Sequence, residues 1–244
     1  MPVAVVTGAG SGLGRAFAVA LGQAGYDVAL LGRTAATLEE TAALVDNSLV
    51  LPTDVTDADE VDAAFAAVRD EWGRVDVLLN NAGRFGPSGT VDEIAVEEWR
   101  ATVEVNLTGM FLCARAAFAM MRAQSPAGGR IVNNGSISAH APRPGSAPYT
   151  STKHAVTGLT KSLSLDGRPY AIRCSQVDIG NAATDMTAVM AAGVPQADGS
   201  VRPEPTFDPR YVAEAVVTLA RLPLDVDQPF LTLTAAGMPF LGRG

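Results

Sequence analysis

Tyr149 and Lys153 lie four residues apart in the pentad Tyr149-Thr150-Ser151-Thr152-Lys153, with Ser136 a short way upstream. A phenol and an ammonium at that spacing share one face of a helix, one turn apart. A free tyrosine has a pKa of about 10 and is a poor acid or base at neutral pH. A cation held beside it favours the phenolate and brings the group toward the working range. A serine hydroxyl at a nearby strand end, in Ile131-Val132-Asn133-Asn134-Gly135-Ser136, would hold a carbonyl oxygen against that phenol. Taken alone, the pair is equally a solvated helix face. What decides between the two is the rest of the chain.

Short β-branched runs alternate with longer alanine-rich amphipathic segments. Strands are predicted at Val3–Thr7, Asp27–Leu31, Ser48–Leu51, Val75–Asn80, Gly129–Asn134, Ile172–Val177 and Phe230–Thr234. Helices are predicted at Gly12–Ala24, Thr34–Val45, Asp57–Trp72, Val96–Arg122, Pro148–Leu165 and Pro209–Leu222. Asp57 with Glu60 reads as an N-cap and capping box, Gly73 as a stop after Trp72, and Pro148 and Pro209 as first-turn residues. Strands apolar throughout, alternating with helices, imply a doubly wound parallel sheet of about seven strands with helices on both faces. Ligands of such a sheet sit beyond the carboxyl ends of its strands. No linker or repeat divides the 244 residues, which read as a single domain. The Pro/Gly-rich stretch from Ala191 to Pro209, with the residues from 185 onward, reads as a lid over a site.

Composition excludes several classes. A net charge of −8 with no basic run argues against nucleic acid as a partner. Cys113 and Cys174 lack metal-ligand spacing and sit in apolar stretches, so buried thiols are expected and no metal site. The chain has no charged leader and no apolar span of 18 residues, and is read as soluble, cytoplasmic and free of membrane contact. The first strand runs into Thr7-Gly8-Ala9-Gly10-Ser11-Gly12-Leu13-Gly14 and then a helix. Glycines allow the tight turn and close approach of a pyrophosphate, and the helix N-terminus offers free N–H groups and a positive dipole end.

The spacing Gly8-x-x-x-Gly12-x-Gly14 resembles that of the short-chain dehydrogenase/reductase family. Asn80-Asn81-Ala82-Gly83, Asn106, Ser136, Tyr149 and Lys153 follow in the family's order and at its distances, so the resemblance covers almost the whole chain. It implies a Rossmann-type fold and an NAD(P)-dependent oxidoreductase that interconverts a ketone and a secondary alcohol. Tyr149 would exchange the proton, Lys153 would lower the phenol pKa and bond the nicotinamide ribose, Ser136 would hold the substrate oxygen, and Asn106 would organise a relay water. The cofactor would be held by Gly8, Ser11, Gly12, Leu13 and Gly14, by Asp54 and Val55 at the adenine, and by Asn81, Ala82 and Gly83. Tyr149, Lys153, Ile179, Gly180, Ala182 and Thr184 would complete that set. Asp54 is equally an Asp-led turn, and Asn81 equally a brace of the central sheet. Family members associate as homotetramers or dimers, here through the helices Val96–Arg122 and Pro148–Leu165. A protein of the same fold that senses NAD(P) without turnover is the rival reading.

The second strand ends at Gly32, where enzymes that use NAD(H) usually carry an acid. Arg33 follows and resembles the residue that pairs with a 2′-phosphate, so NADP(H) is favoured and NAD(H) is the alternative. Two segments depart from the family. Asp178-Ile179-Gly180-Asn181 stands where Pro-Gly is common, and Asp178 reads either as a partner for backbone groups or as a substrate contact. The end Gly237-Met238-Pro239-Phe240-Leu241-Gly242-Arg243-Gly244 lacks the usual glycine pair. Between Ser136 and Tyr149 runs a loop flanking the substrate cleft, where Ser138, His140 and Arg143 are candidate substrate contacts.

Overall fold

Every residue of β1 (Val3–Thr7) is buried, and its side chains alternate between two apolar cores. Ala4 and Val6 enter one core, Val3 and Val5 the other. In β2 (Asp27–Gly32) and β4 (Val77–Asn80), Val28, Leu30, Val77 and Leu79 face the first core while Ala29, Leu31 and Leu78 face the second. A sheet apolar on both faces needs cover on both. On one side α1 (Gly12–Gln23) and α8 (Arg210–Arg221) supply Phe17, Leu21, Val212 and Val216. On the other, α3 (Ala58–Trp72) and α5 (Gly109–Ala123) supply Val61, Phe65, Cys113 and Met121.

The computed structural model describes residues 1–184 and 187–241, without the side chains of residues 189 and 191. Seven strands lie in the order β3 (Ser48–Pro52), β2, β1, β4, β5 (Gly129–Asn134), β6 (Ile172–Gly180) and β9 (Phe230–Thr234), all parallel. The chain runs outward from β1 in both directions, so the carboxyl ends of β1 and β4 open a crevice at the switch point. The remaining helices are α2 (Ala35–Ala42), α4 (Val96–Val103), α6 (Ala147–Gly167) and α7 (Ala188–Ala192).

Several boundaries differ from the sequence reading. The fourth strand begins at Val77, because the Val75 N–H donates to the Gln124 side chain at 2.9 Å instead of joining the sheet. Asp57 does cap α3, accepting from the N–H groups of Asp59 and Glu60 at 2.9 and 3.1 Å. Glu60, however, reaches past it to the Asp54 N–H at 2.7 Å. Pro209 precedes α8 as its N-cap instead of opening its first turn. The stretch expected as irregular lid contains α7 and a small antiparallel hairpin, β7 (Val194–Pro195) with β8 (Val201–Arg202). Strands of two residues carry no periodicity to read. Asp185, Met186 and the terminal Gly242-Arg243-Gly244 lie outside the described residues.

The helix predicted at Val96–Arg122 is continuous to Ala123 but contains a π-turn at Glu104–Thr108. Its mean hydropathy of 1.2 over 18 residues meets the composition test for a membrane span, contrary to the expectation that no such span exists. Cys113, Ala114, Ala117 and Met121 account for this apolar stripe, since all four pack in the second core.

Candidate active site

Gly8 and Gly12 adopt φ of 66° and 51°, which permits the tight turn between β1 and α1. A Cβ at Gly14 would lie 1.9 Å from the Gly8 carbonyl oxygen, so α1 starts flush against the turn. No side chain caps α1, and its first N–H groups face the turn. These features frame a groove of about 580 Å3 at the carboxyl ends of β1, β2 and β4. A groove of that volume beside an uncapped helix N-terminus and a glycine cradle fits a dinucleotide. Gly14→Ala is expected to destabilise the fold by about 3 kcal/mol through overpacking, measured by urea unfolding; an unchanged midpoint would contradict the close approach.

Gly8, Ser11, Gly12, Leu13, Gly14, Arg33, Asp54 and Val55 all line this groove, as do Asn81, Ala82, Gly83, Thr184, Tyr149 and Lys153. Ile179, Gly180 and Ala182 do not; they line an adjoining cavity. The Asp54 carboxylate forms the Asp-led turn, accepting from the Thr56 N–H at 3.0 Å and its hydroxyl at 2.8 Å. The Thr56 N–H bond leads in holding that carboxyl below its ordinary pKa. Asn81 braces the sheet: its Nδ2 donates to the Thr7 carbonyl at 2.9 Å and its Oδ1 accepts from Asn134 at 2.7 Å. Asn134 is absent from the predicted site, yet its carbonyl accepts from Lys153 Nζ at 2.6 Å. An asparagine at a strand end looks like any turn residue in sequence.

Helix α6 presents Tyr149 and Lys153 one turn apart, and Lys153 Nζ sits 5.5 Å from the Tyr149 ring centroid. Phe85 packs edge-on against the phenol ring at 4.8 Å. Burial pushes the Lys153 ammonium down to about 8, with the Asp178 charge opposing the fall. Burial pushes the Tyr149 phenol up to about 12; the Ser136 hydrogen bond pulls it down and the Asp178 charge adds to the rise. Asn106 lies in the π-turn, a feature that often marks functional sites. Its Oδ1 accepts from the Arg84 N–H and its Nδ2 donates to the Arg84 carbonyl, both at 2.8 Å. Nδ2 also reaches Thr152 Oγ1 at 3.2 Å. The Asn106 side chain therefore ties the segment after β4 to α6, the helix that carries Tyr149 and Lys153.

Asp178 is fully buried behind Ser136. Its Oδ1 accepts from the Ser136 N–H at 3.0 Å and from Gln176 Nε2 at 2.7 Å, and its Oδ2 meets His140 Nε2 at 2.7 Å. A Cβ on Gly135 would lie 2.1 Å from Asp178 Oδ1, so a glycine just before Ser136 is what admits the carboxylate. Neither Asp178 nor His140 lines the groove or the cavity. The carboxylate serves as the partner of a backbone group, the first of its two readings. His154, next to Lys153, bonds the Thr150 carbonyl on the exposed side of α6.

The adjoining cavity, of about 320 Å3, opens beside Ser136, Ser138 and Tyr149. Ser136 Oγ accepts from the Ser138 N–H at 3.1 Å. Phe85, Ile179, Met190 and Val194 give it apolar wall, Ser136, Ser138, Asn181 and Thr184 add polar groups, and Arg143 also lines it. The apolar wall residues come from separate elements, the segment after β4, β6, α7 and β7, so no single spacing marks them in advance.

The short chain dehydrogenase family model matches residues 2–194. The chain is 42% identical over 192 residues to the 2-(R)-hydroxypropyl-CoM dehydrogenase of Xanthobacter autotrophicus (strain ATCC BAA-1158 / Py2), covering 76% of each. Among solved structures, it superposes on a point variant of actinorhodin polyketide ketoreductase with NADPH at TM-score 0.83 and 33% identity, covering 96% of this chain and 95% of that one. It also superposes on the 3-ketoacyl-(acyl-carrier-protein) reductase of Brucella melitensis complexed with NADH, at TM-score 0.83 and 28% identity, covering 95% and 96%. Groove, cradle and the Ser136–Tyr149–Lys153 cluster thus occur in a chain whose sequence matches one family over most of its length: this protein belongs to the short-chain dehydrogenase family.

Proposed function

We propose that the protein transfers hydride between a nicotinamide cofactor and a ketone/secondary-alcohol pair, with Tyr149 donating or accepting the proton. The observation that carries this reading is that Tyr149 lines both the long groove and the adjoining cavity. A dinucleotide held along the groove from the glycine turn would meet Tyr149 and Lys153, and a small molecule in the cavity would meet the same phenol. The solved relatives with NADPH and NADH support a nicotinamide cofactor.

The bound cofactor supplies or takes up the hydride. In reduction, Tyr149 gives its proton to the substrate oxygen as negative charge develops there. Ser136 Oγ accepts from Ser138, and its hydrogen, which bonds the Tyr149 phenol, would turn to that oxygen when substrate enters. With a pKa of about 8, Lys153 is mostly protonated at neutral pH and stabilises the phenolate that Tyr149 becomes. A phenol held at about 12 keeps its proton until the carbonyl oxygen demands it, which suits reduction near neutral pH. Asn106 holds the segment after β4 against α6 and so positions the pair.

We read the cofactor as NADP(H). Arg33 is exposed at the groove, beside Thr34 and Thr37, and Gly32 leaves no acid at the end of β2. Arg33→Ala is expected to weaken NADPH binding by about 10- to 100-fold, the worth of a charge-assisted bond, and NADH binding by less than about threefold. Fluorescence titration of each cofactor measures both; equal losses would remove the basis for preferring NADP(H). Copies of the chain are expected to pair through the face of α5 and α6 that exposes Phe111 and Leu165.

The test of the activity is a panel of ketones and secondary alcohols assayed with both cofactors in both directions. Turnover of a ketone supports the reading. NADPH binding with every carbonyl left unreduced would make this a cofactor-sensing protein.

A further inference from the structure

Arg143 is the one lysine or arginine among the described residues lining the 320 Å3 cavity, and its charge is already matched. Its Nη1 donates to Glu204 Oε1 at 2.7 Å and its Nη2 to Glu204 Oε2 at 2.6 Å. The two side chains are 15% and 2% exposed, so this is a bidentate pair withdrawn from water. Asn181 completes it: Oδ1 accepts from Arg143 at 3.1 Å while Nδ2 donates to Glu204 at 2.8 Å. Asn181 adopts φ of 61°, a left-handed conformation that asparagine tolerates better than most residues. Gln196 adds a fourth side chain, donating to Glu204 Oε1 at 2.9 Å, and the Glu204 N–H donates to the Met190 carbonyl at 2.9 Å. Burial pushes the Glu204 carboxyl up, but the bonds from Arg143, Gln196 and Asn181 outweigh it and hold it at about 2.

This cluster joins four pieces of chain beside one cavity: the loop after Ser136, the turn after β6, the turn of the β7–β8 hairpin, and the segment following that hairpin. Its consequence is electrostatic. A carboxylate or phosphate entering the cavity would lose its hydration and find the arginine there neutralised by a carboxylate that repels it. Lys153, the cation of the catalytic pair, lines the groove and is bonded to Asn134. Among the described residues the rest of the wall is uncharged: hydroxyls such as Ser138 and Thr184 line part of it, and Phe85, Ile179, Met190 and Val194 reward apolar surface.

We propose that the substrate is an uncharged, mainly apolar ketone or secondary alcohol, and that Glu204 enforces this choice by capping Arg143. The proposal deepens the oxidoreductase reading and rests on it. Neutralising Glu204 while keeping its shape leaves Arg143 an unmatched cation at the cavity wall, and an acidic substrate then gains a partner.

The test uses two probes, ethyl benzoylformate and benzoylformate, which share one aryl ketone and differ at the neighbouring carboxyl, an uncharged ethyl ester in one and a carboxylate in the other. With NADPH, the wild-type protein is expected to favour the ester over the acid by about 100-fold or more in kcat/KM, as a buried charge without a partner demands. Glu204→Gln is expected to narrow that ratio by about tenfold or more, mainly through a lower KM for the acid. Equal handling of the two probes by the wild type, or a folded Glu204→Gln protein with an unchanged ratio, overturns the proposal. A second measurement needs neither the Glu204 variant nor turnover: binding of each probe to the Tyr149→Phe protein loaded with NADPH, followed by cofactor fluorescence. Ester binding well above acid binding supports the proposal, while equal binding, or saturable binding of neither, overturns it. Selective ester binding without turnover by the wild type would count against the oxidoreductase reading and leave the assignment of the cavity standing.

Discussion

Tyr149→Phe is expected to lower kcat/KM for ketone reduction by about 1,000-fold, within the range that positioned acid–base groups contribute, while leaving the affinity for NADPH within about twofold. The separation follows from what the substitution removes. Phenylalanine keeps the ring, and with it the edge-on contact with Phe85 at 4.8 Å and the Lys153 cation 5.5 Å from the ring centroid. Only the hydroxyl goes, and with it the proton that must reach the substrate oxygen. Ser136 still polarises that oxygen, so a small residual rate remains. The glycine turn, Asn81 and Lys153 are untouched, so the groove keeps its shape. Steady-state NADPH oxidation and cofactor fluorescence titration measure the two halves separately. Residual turnover above about a tenth of wild type would mean another group supplies the proton, since general acid catalysis contributes at least about 100-fold.

The sequence is most legible where local pattern and physical cause coincide. A strand buried on both faces is apolar at nearly every position, and the central strands β1, β2 and β4 carry that signal most fully, while β5 and β6 mix polar residues into it. The glycine turn is legible because Gly8, Gly12 and Gly14 each answer a steric demand within one short segment. The pair Tyr149 and Lys153 is legible because helical spacing brings i and i+4 together. What cannot be read depends on distance along the chain. Arg143 and Glu204 are 61 positions apart, and Ser136 and Asp178 are 42 apart. No periodicity links residues on elements that far apart in the chain. The π-turn around Asn106 is hidden for another reason, since its sequence continues the helical pattern on either side without a break. The role of Asp178 stays open between two readings until the fold puts its carboxylate behind Ser136 and not in the cavity wall.

Asp178 carries the second large expected effect. Asp178→Ala removes the acceptor of two buried donors, the Ser136 N–H and Gln176 Nε2. Each buried donor left without a partner is worth about 1–3 kcal/mol, so a loss of about 2–4 kcal/mol in unfolding free energy is expected. Substrate preference should hold among whatever the variant still turns over, because Asp178 does not line the cavity. Asp178→Asn separates geometry from charge. Its amide oxygen still accepts from Ser136, so most of the stability returns. The negative charge is gone, and that charge raises both the Tyr149 phenol and the Lys153 ammonium. Without it the phenolate is less disfavoured and the ammonium less favoured, so both groups titrate at lower pH. In alcohol oxidation Tyr149 must be ionised to accept the proton, so the rising limb of the pH–rate profile should move to lower pH in Asp178→Asn. Tyrosinate absorbance, with the Tyr149→Phe protein as the blank, follows the same group directly. A limb and a titration that both stay in place would reduce Asp178 to a scaffold for Ser136. A shift in both makes the buried carboxylate a determinant of when Tyr149 lets go of its proton.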